Sequence, residues 1–144
     1  MSKETSFSIK VVHFKQYEKE IKHIRQCVFI DECKIPEKLE WDAQDEAAKF
    51  AIAQYESKCI AVGRLLTDGH IGRVAVLKEY RHQGIGTRII KALIQTAVKQ
   101  RLETVFLTSQ QSAVPFYQNM GFVPSGDLFQ LAGIPHQLMS LRLT

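Results

Sequence analysis

The sequence predicts an α+β fold: a mixed, mostly antiparallel sheet with one central parallel strand-helix-strand step and helices on both faces. Three observations carry this. Runs rich in β-branched and aromatic residues at 49–55, 59–66 and 71–77 are separated only by turn signals, the pattern of an antiparallel meander. A long apolar-periodic helix follows the third run and leads directly into Thr104 to Thr108, as in two parallel strands joined by a helix. The C-terminal segment then offers two further runs that can pair as closing strands. At 144 residues the chain suits one domain spanning 1–144, large enough to bury a core without metals or disulfides.

Phe7, Ile9 and Val11 alternate with Ser8 and Lys10, the period of a half-buried strand. Tyr17, Ile21, Ile24 and Val28 recur at spacings of four, three and four, which puts them on one helix face. Asp31 to Asp45 lacks a steady period and contains Pro36, so it is a long loop with one short turn at Glu37 to Leu39; loops of that length are often functional. Lys49 to Tyr55 and Cys59 to Leu66 read as strands joined near Ser57-Lys58. Asp68-Gly69 turns the chain into a third strand, Ile71 to Leu77.

The long helix opens at Ile85 and carries Ile89, Ile90, Leu93, Ile94, Ala97 and Val98 in a broad apolar arc. Lys99 and Arg101 end it with charges that suit the negative end of its dipole. A short helix follows Thr104 to Thr108, with Ser112 as N-cap, Pro115 in the first turn and Gly121 as a left-handed cap. Leu128 to Leu131 and Gln137 to Leu143 close the sheet across Ala132-Gly133-Ile134-Pro135.

Met1 to Ser6 lacks the apolar core of a secretory signal, and no run of about 18 apolar residues suggests a membrane helix, so a cytoplasmic location is expected. Cys27, Cys33 and Cys59 have neither disulfide-framework nor zinc-ligand spacing and read as free thiols; no metal is expected. The net charge of +4 raises the question of nucleic acid, but the charges are segregated. Asp31 to Glu46 holds seven acids against two lysines, and Ile71 to Arg101 holds seven bases against one acid. That division suits either two solvated faces or a site bringing an anionic cosubstrate to a cationic acceptor. Neither a nucleic-acid nor a membrane partner is expected.

Arg73 to Thr87 is a β-branched strand that runs through Arg81, Gly84 and Gly86 into the helix. The glycines permit unusual backbone angles and close approach of a ligand, while the first turn of the helix aims unpaired N–H groups outward at its positive end. With no acid between Tyr80 and Arg101, a phosphate ester is the natural ligand. Ile89 stands where a dinucleotide fingerprint needs its third glycine, and the Gly-Lys-Ser/Thr of a P-loop is absent. If the parallel strands part at their C-terminal ends, an amide-bearing arm can pair with Val74 to Leu77 as an added strand does.

These residues resemble the GNAT superfamily of acetyl-CoA-dependent N-acetyltransferases over nearly the whole chain. Arg81-His-Gln-Gly-Ile-Gly86 fits the Arg/Gln-x-x-Gly-x-Gly/Ala signature, and Pro115-Phe-Tyr-Gln-Asn-Met-Gly-Phe122 fits a second landmark about thirty residues on. Val28-Phe-Ile-Asp-Glu32 and Gly133-Ile-Pro-His136 are similar to a subgroup of small bacterial acetyltransferases. The resemblance implies acetyl-CoA as cosubstrate, no metal, an amine acceptor that is a small molecule or a peptide, and a possible homodimer. It implies that Val74, Ala75, Val76, Arg81, His82, Gln83, Gly84, Ile85, Gly86, Thr87 and Phe116 hold the cosubstrate, with an N–H near Val76 on the carbonyl oxygen. Tyr117 is implied as the general acid for the leaving thiolate. Glu32 lies at a position resembling a substrate-side residue and is a candidate base, while His136 is a candidate for the acceptor pocket. Trp41 reads as a loop anchor. Ser109, near where many members carry asparagine, and Cys33, where relatives often carry glutamine, depart from the pattern. A noncatalytic acyl-CoA-binding or regulatory module of the same fold is the alternative.

Overall fold

A computed structural model describes residues 7–144; residues 1–6, where a leader was sought, lie outside them. Strand β1 (Phe7–His13) passes through a 3-10 turn at Phe14–Tyr17 into helix α1 (Glu18–Arg25) and a π-helical stretch, Gln26–Glu32. Helix α2 (Glu37–Glu40) and a 3-10 turn (Ala43–Ala47) interrupt the loop that follows. Then come strands β2 (Lys49–Tyr55), β3 (Lys58–Leu65) and β4 (Ile71–Val76), helix α3 (Ile85–Lys99), strand β5 (Thr104–Gln110), helix α4 (Val114–Gln118), and strands β6 (Val123–Leu131) and β7 (Ile134–Arg142).

The strands form two antiparallel groups, β1-β2-β3-β4 and β5-β7-β6. Every residue from Cys59 to Leu65 is buried, so both faces of β3 are covered, and α1 and α3 both pack on it. Ile21 and Ile24 from α1 and Ile89, Ile90, Leu93 and Ala97 from α3 lie in one core with Phe50, Ile52, Ile60 and Val62. At about 25 cal/mol per Å² of apolar surface, burial of such branched side chains contributes roughly 1.5–3 kcal/mol each.

Among the described residues, one backbone bridge joins the two groups. His70 and Phe106 form a parallel bridge, Gly69 O accepts from Phe106 N at 3.0 Å, and the His70 ring stacks on Phe106 with centroids 4.9 Å apart. Gly69, at φ +98°, leaves no room for a side chain: a Cβ would lie 2.5 Å from Thr104 O. Beyond this pin, among the described residues, β4 pairs only with β3 and β5 only with β7. The central parallel step therefore exists at its base and parts above it. β4 also bulges, with Val62 opposite Ala75 but Arg64 opposite Gly72. The extra residue falls at Arg73–Val74, where Arg73 adopts φ +49°.

Three local expectations change. No side chain caps α4; Ser112 falls within a 3-10 turn (Gln111–Ala113), and Pro115 sets the helix start. β6 begins at Val123 rather than Leu128, because this exposed edge strand tolerates Pro124. Gln137 supports its irregular middle, donating through Nε2 to Ser125 O and Gly126 O at 2.9 and 3.0 Å. The helix read through Val28 is helical throughout, but its hydrogen bonding changes from 3-10 to α to π.

Candidate active site

Gly84 takes φ +79° at the N-terminus of α3, and a Cβ there would meet nothing within 4 Å. The first bond into the helix runs from Arg88 N to Gly84 O at 3.2 Å, so the N–H groups of Ile85, Gly86 and Thr87 have no acceptor within it. His82, at φ +64°, gives the preceding loop a second left-handed turn. A cavity of about 240 Å³ opens here, lined by Val76, Arg81, His82, Gly84, Ile85, Gly86, Thr87 and Phe116. It has the size and the donors for a diphosphate.

Arg81 secures this loop. Its Nε donates to Val76 O at 2.9 Å, while Nη1 and Nη2 grip the two carboxylate oxygens of Glu32 at 2.7 and 2.6 Å. The hydrogen bonds from Arg81, reinforced by its charge, hold the Glu32 carboxyl below the usual glutamate range. Glu32, expected as a substrate-side residue, does not line the cleft that holds Tyr117 and His136. It lines a separate cavity with His23, Cys27 and Lys78, and a carboxylate with both oxygens engaged by a guanidinium is a poor proton acceptor.

The parting of β4 and β5 forms a second cavity of about 340 Å³. Gly72, Arg73 and Val74 line one side, Leu107 to Gln110 the other, and Phe29, Tyr117 and His136 complete it. Val74 and Val76 share a face of β4, and the rings of Phe116 and Tyr117 touch at 5.0 Å, so the two cavities adjoin. Burial raises the Tyr117 phenol above its usual range, and its ring meets Phe122 edge-on at 6.0 Å. The phenol therefore holds its proton at neutral pH. Ser109 is buried and donates to Gln110 O at 2.8 Å. His136 Nδ1 lies 2.8 Å from Ile134 O.

Two residues expected to hold cosubstrate line neither cavity with their side chains: Ala75 is buried in the core, and Gln83 is exposed. Any contribution from Ala75 is through its main chain.

The acidic loop contains what sequence reasoning missed. Arg25 reaches Glu40 at 2.6 Å and Asp45 at 2.8 Å; Arg64 reaches Asp45 and Asp42, each at 2.8 Å; Arg73 reaches Asp42 at 3.4 Å and Glu40 at 3.2 Å. Three arginines and three acids close into a ring, and Arg25, Glu40, Asp45 and Arg64 are buried. Burial raises the Asp42 carboxyl, but hydrogen bonds from Arg64 and the Gln44 N–H, with the charges of Arg64 and Arg73, outweigh it and leave it below the usual aspartate range. Arg25 also lies over the Trp41 ring at 5.0 Å. The ring ties the α1–β2 loop to β3 and, through Arg73, to the bulge that borders the cleft. The signal was present only as unassigned bases and acids far apart in the chain.

An amide-lined anion cradle adjoining a cleft between parting strands defines an acyl-transfer fold with a place for a coenzyme thioester. A model of the Acetyltransferase (GNAT) domain family matches residues 12–143, and the chain belongs to that family. It is 34% identical over 121 residues to YjcF of Bacillus subtilis, described as an uncharacterized N-acetyltransferase, across 81% of this chain and 86% of that protein. Among solved structures it is similar to an acyl-CoA N-acyltransferase from Pseudomonas aeruginosa, with a TM-score of 0.86 and 26% identity over 94% of this chain and 99% of the other. Escherichia coli ElaA shares the fold at a TM-score of 0.84 and 22% identity, over 94% and 99% of the chains. Family membership makes this protein an acyltransferase. Among the described residues no helix is long and apolar enough to cross a membrane, and no group of three potential metal ligands occurs.

Proposed function

We propose that the protein, as one domain over residues 1–144, transfers the acetyl group of acetyl-CoA to a primary amine by direct attack in a ternary complex. The observation that carries this reading is the parting of β4 and β5, with Tyr117 in the cleft and the N–H groups of Ile85 to Thr87 in the adjoining cavity. Bound acetyl-CoA supplies an activated acyl group; the rest is placement by the chain. The amides of the α3 N-terminus hold the diphosphate, and Arg81 keeps their loop in position from β4. Beyond Ile71 the outer edge of β4 has no partner strand among the described residues, which supports main-chain pairing with the amides of the coenzyme arm. A β4 N–H near Val76 facing the carbonyl oxygen stabilises the charge it gains, contributing roughly 3 kcal/mol. Tyr117, protonated at neutral pH, gives its proton to the departing thiolate.

The acceptor is a small-molecule or peptide amine. A homodimer belongs to the same reading, supported by the exposed β6 edge and the exposed apolar side chains Val123, Leu128 and Leu131 along it. A cytoplasmic location is supported by the free thiols of Cys27, Cys33 and Cys59.

A mass-shift screen of amines with acetyl-CoA tests the activity. Tyr117→Phe is expected to lower kcat about 100-fold or more while CoA affinity in calorimetry is retained. Tight CoA binding with no turnover on any amine would favour a noncatalytic acyl-CoA-binding module instead.

A further inference from the structure

We propose that His136 is the base that takes the acceptor amine's proton, an inference that rests on the transferase reading above. A carbonyl oxygen can only accept a hydrogen bond, so the 2.8 Å contact with Ile134 O places the proton of the neutral ring on Nδ1. Nε2 is left with a free lone pair, the arrangement a proton acceptor requires. The anchoring carbonyl lies two residues back on the same strand.

Position adds to tautomer. His136 lines the same cavity as Tyr117, and across the sheet its neighbours are Gln110 on β5 and Phe129 on β6, both uncharged. The other titratable or charged groups lining the cavity are Arg73 from β4 and Tyr117 from α4; among the described residues no carboxylate lines it. Arg73 is a cation held against Glu40 and Asp42, and Tyr117 carries its proton. His136 is therefore the lining side chain whose neutral form offers an uncommitted nitrogen lone pair to the cavity.

The step balances without another reactant. As the amine nitrogen bonds to the carbonyl carbon, the carbonyl π pair moves onto oxygen, to return when sulfur leaves; Nε2 takes one N–H proton and the ring becomes imidazolium. When the carbon–sulfur bond breaks, its electron pair goes to sulfur, which takes the Tyr117 proton. Return of the imidazolium proton to the phenolate across the shared cavity restores both groups.

Long-range 1H–15N NMR of the imidazoles, on the free and CoA-bound protein, tests the tautomer without turnover. Nδ1 is expected to carry the proton in neutral His136, and a proton on Nε2 overturns the assignment. With an amine found in the screen, kcat of the parent enzyme is expected to fall on the acid side as its base becomes protonated. His136→Ala and His136→Gln, at retained CoA affinity, should both lose about 100-fold in kcat and lose that acid limb. Glu32→Gln should keep the limb even where its rate falls. Full rate in His136→Gln, or an unchanged limb in both His136 variants, overturns the base assignment while leaving the transferase reading standing. No turnover of any amine by the CoA-bound parent protein overturns both.

Discussion

Asp31 to Glu46 and Ile71 to Arg101 are near mirror images in charge, yet they use it differently. In the acidic stretch Glu40, Asp42 and Asp45 turn inward and are matched by Arg25, Arg64 and Arg73. In the basic stretch Arg73 and Arg81 are engaged, while Arg88, Lys91 and Lys99 are exposed with no ion-pair partner among the described residues. What that second stretch offers a ligand comes chiefly from main-chain amides. One region ties down a long loop by pairing charges, and the other shapes an amide-lined cavity from backbone geometry. Net charge along the sequence therefore identifies neither role by itself.

The largest effect should come from breaking the ring. Arg25 is fully buried and donates to Glu40 Oε2, Glu40 O and Asp45 Oδ1, so Arg25→Ala leaves each of two buried carboxylates without one of its two arginine partners. Such losses cost about 3–5 kcal/mol, and urea unfolding of the variant should show it. CoA affinity of the folded fraction should change far less. A stability loss below about 1 kcal/mol would mean that packing holds the loop and the ring is incidental.

A smaller effect should separate backbone from side chain in the basic stretch. Gly84→Val forces a β-branched residue to φ +79° where its side chain meets open space in the free protein. The cost is conformational, about 1–3 kcal/mol, and the added methyls stand where a diphosphate would sit. Calorimetry with acetyl-CoA should show affinity falling about tenfold or more, against a few-fold for Arg88→Ala, an exposed charge in high dielectric. Equal losses would mean that side-chain charge, rather than bare amides, carries the anion.

The difference between the regions also explains what the sequence revealed. The cradle was legible because everything that makes it is local: a strand, a loop with Gly84 and Gly86, and a helix start within fifteen residues. The meander was legible for the same reason, each strand ending at a turn signal such as Asp68-Gly69. The ring joins residues 15 to 33 positions apart, and no periodicity marks such pairs. The pairing of Glu32 with Arg81 was not legible because the two are 49 residues apart. His136 was visible as a candidate for the acceptor pocket, but its tautomer depends on a carbonyl direction that only the folded strand sets. The change to π-helix after Arg25 was hidden because Tyr17, Ile21, Ile24 and Val28 keep one face regardless of which carbonyl each N–H reaches.

The finest test of the ring is its response to acid. Asp42 is its most exposed acid, at 30%, and its carboxyl lies below the usual aspartate range in the folded protein. A group whose folded pKa is depressed stabilises fully above its unfolded pKa, and that contribution disappears as pH falls through the folded value. Asp42→Asn keeps an oxygen for Arg64 and the Gln44 N–H but removes the charge, so the variant should lose about 1 kcal/mol at neutral pH. The gap between the two proteins in urea unfolding should then narrow below the usual aspartate range and close in stronger acid, where the parent's carboxyl is itself protonated. A gap that stays constant from neutral pH into acid would show that Asp42 contributes by shape rather than charge, and the ring would reduce to its buried members.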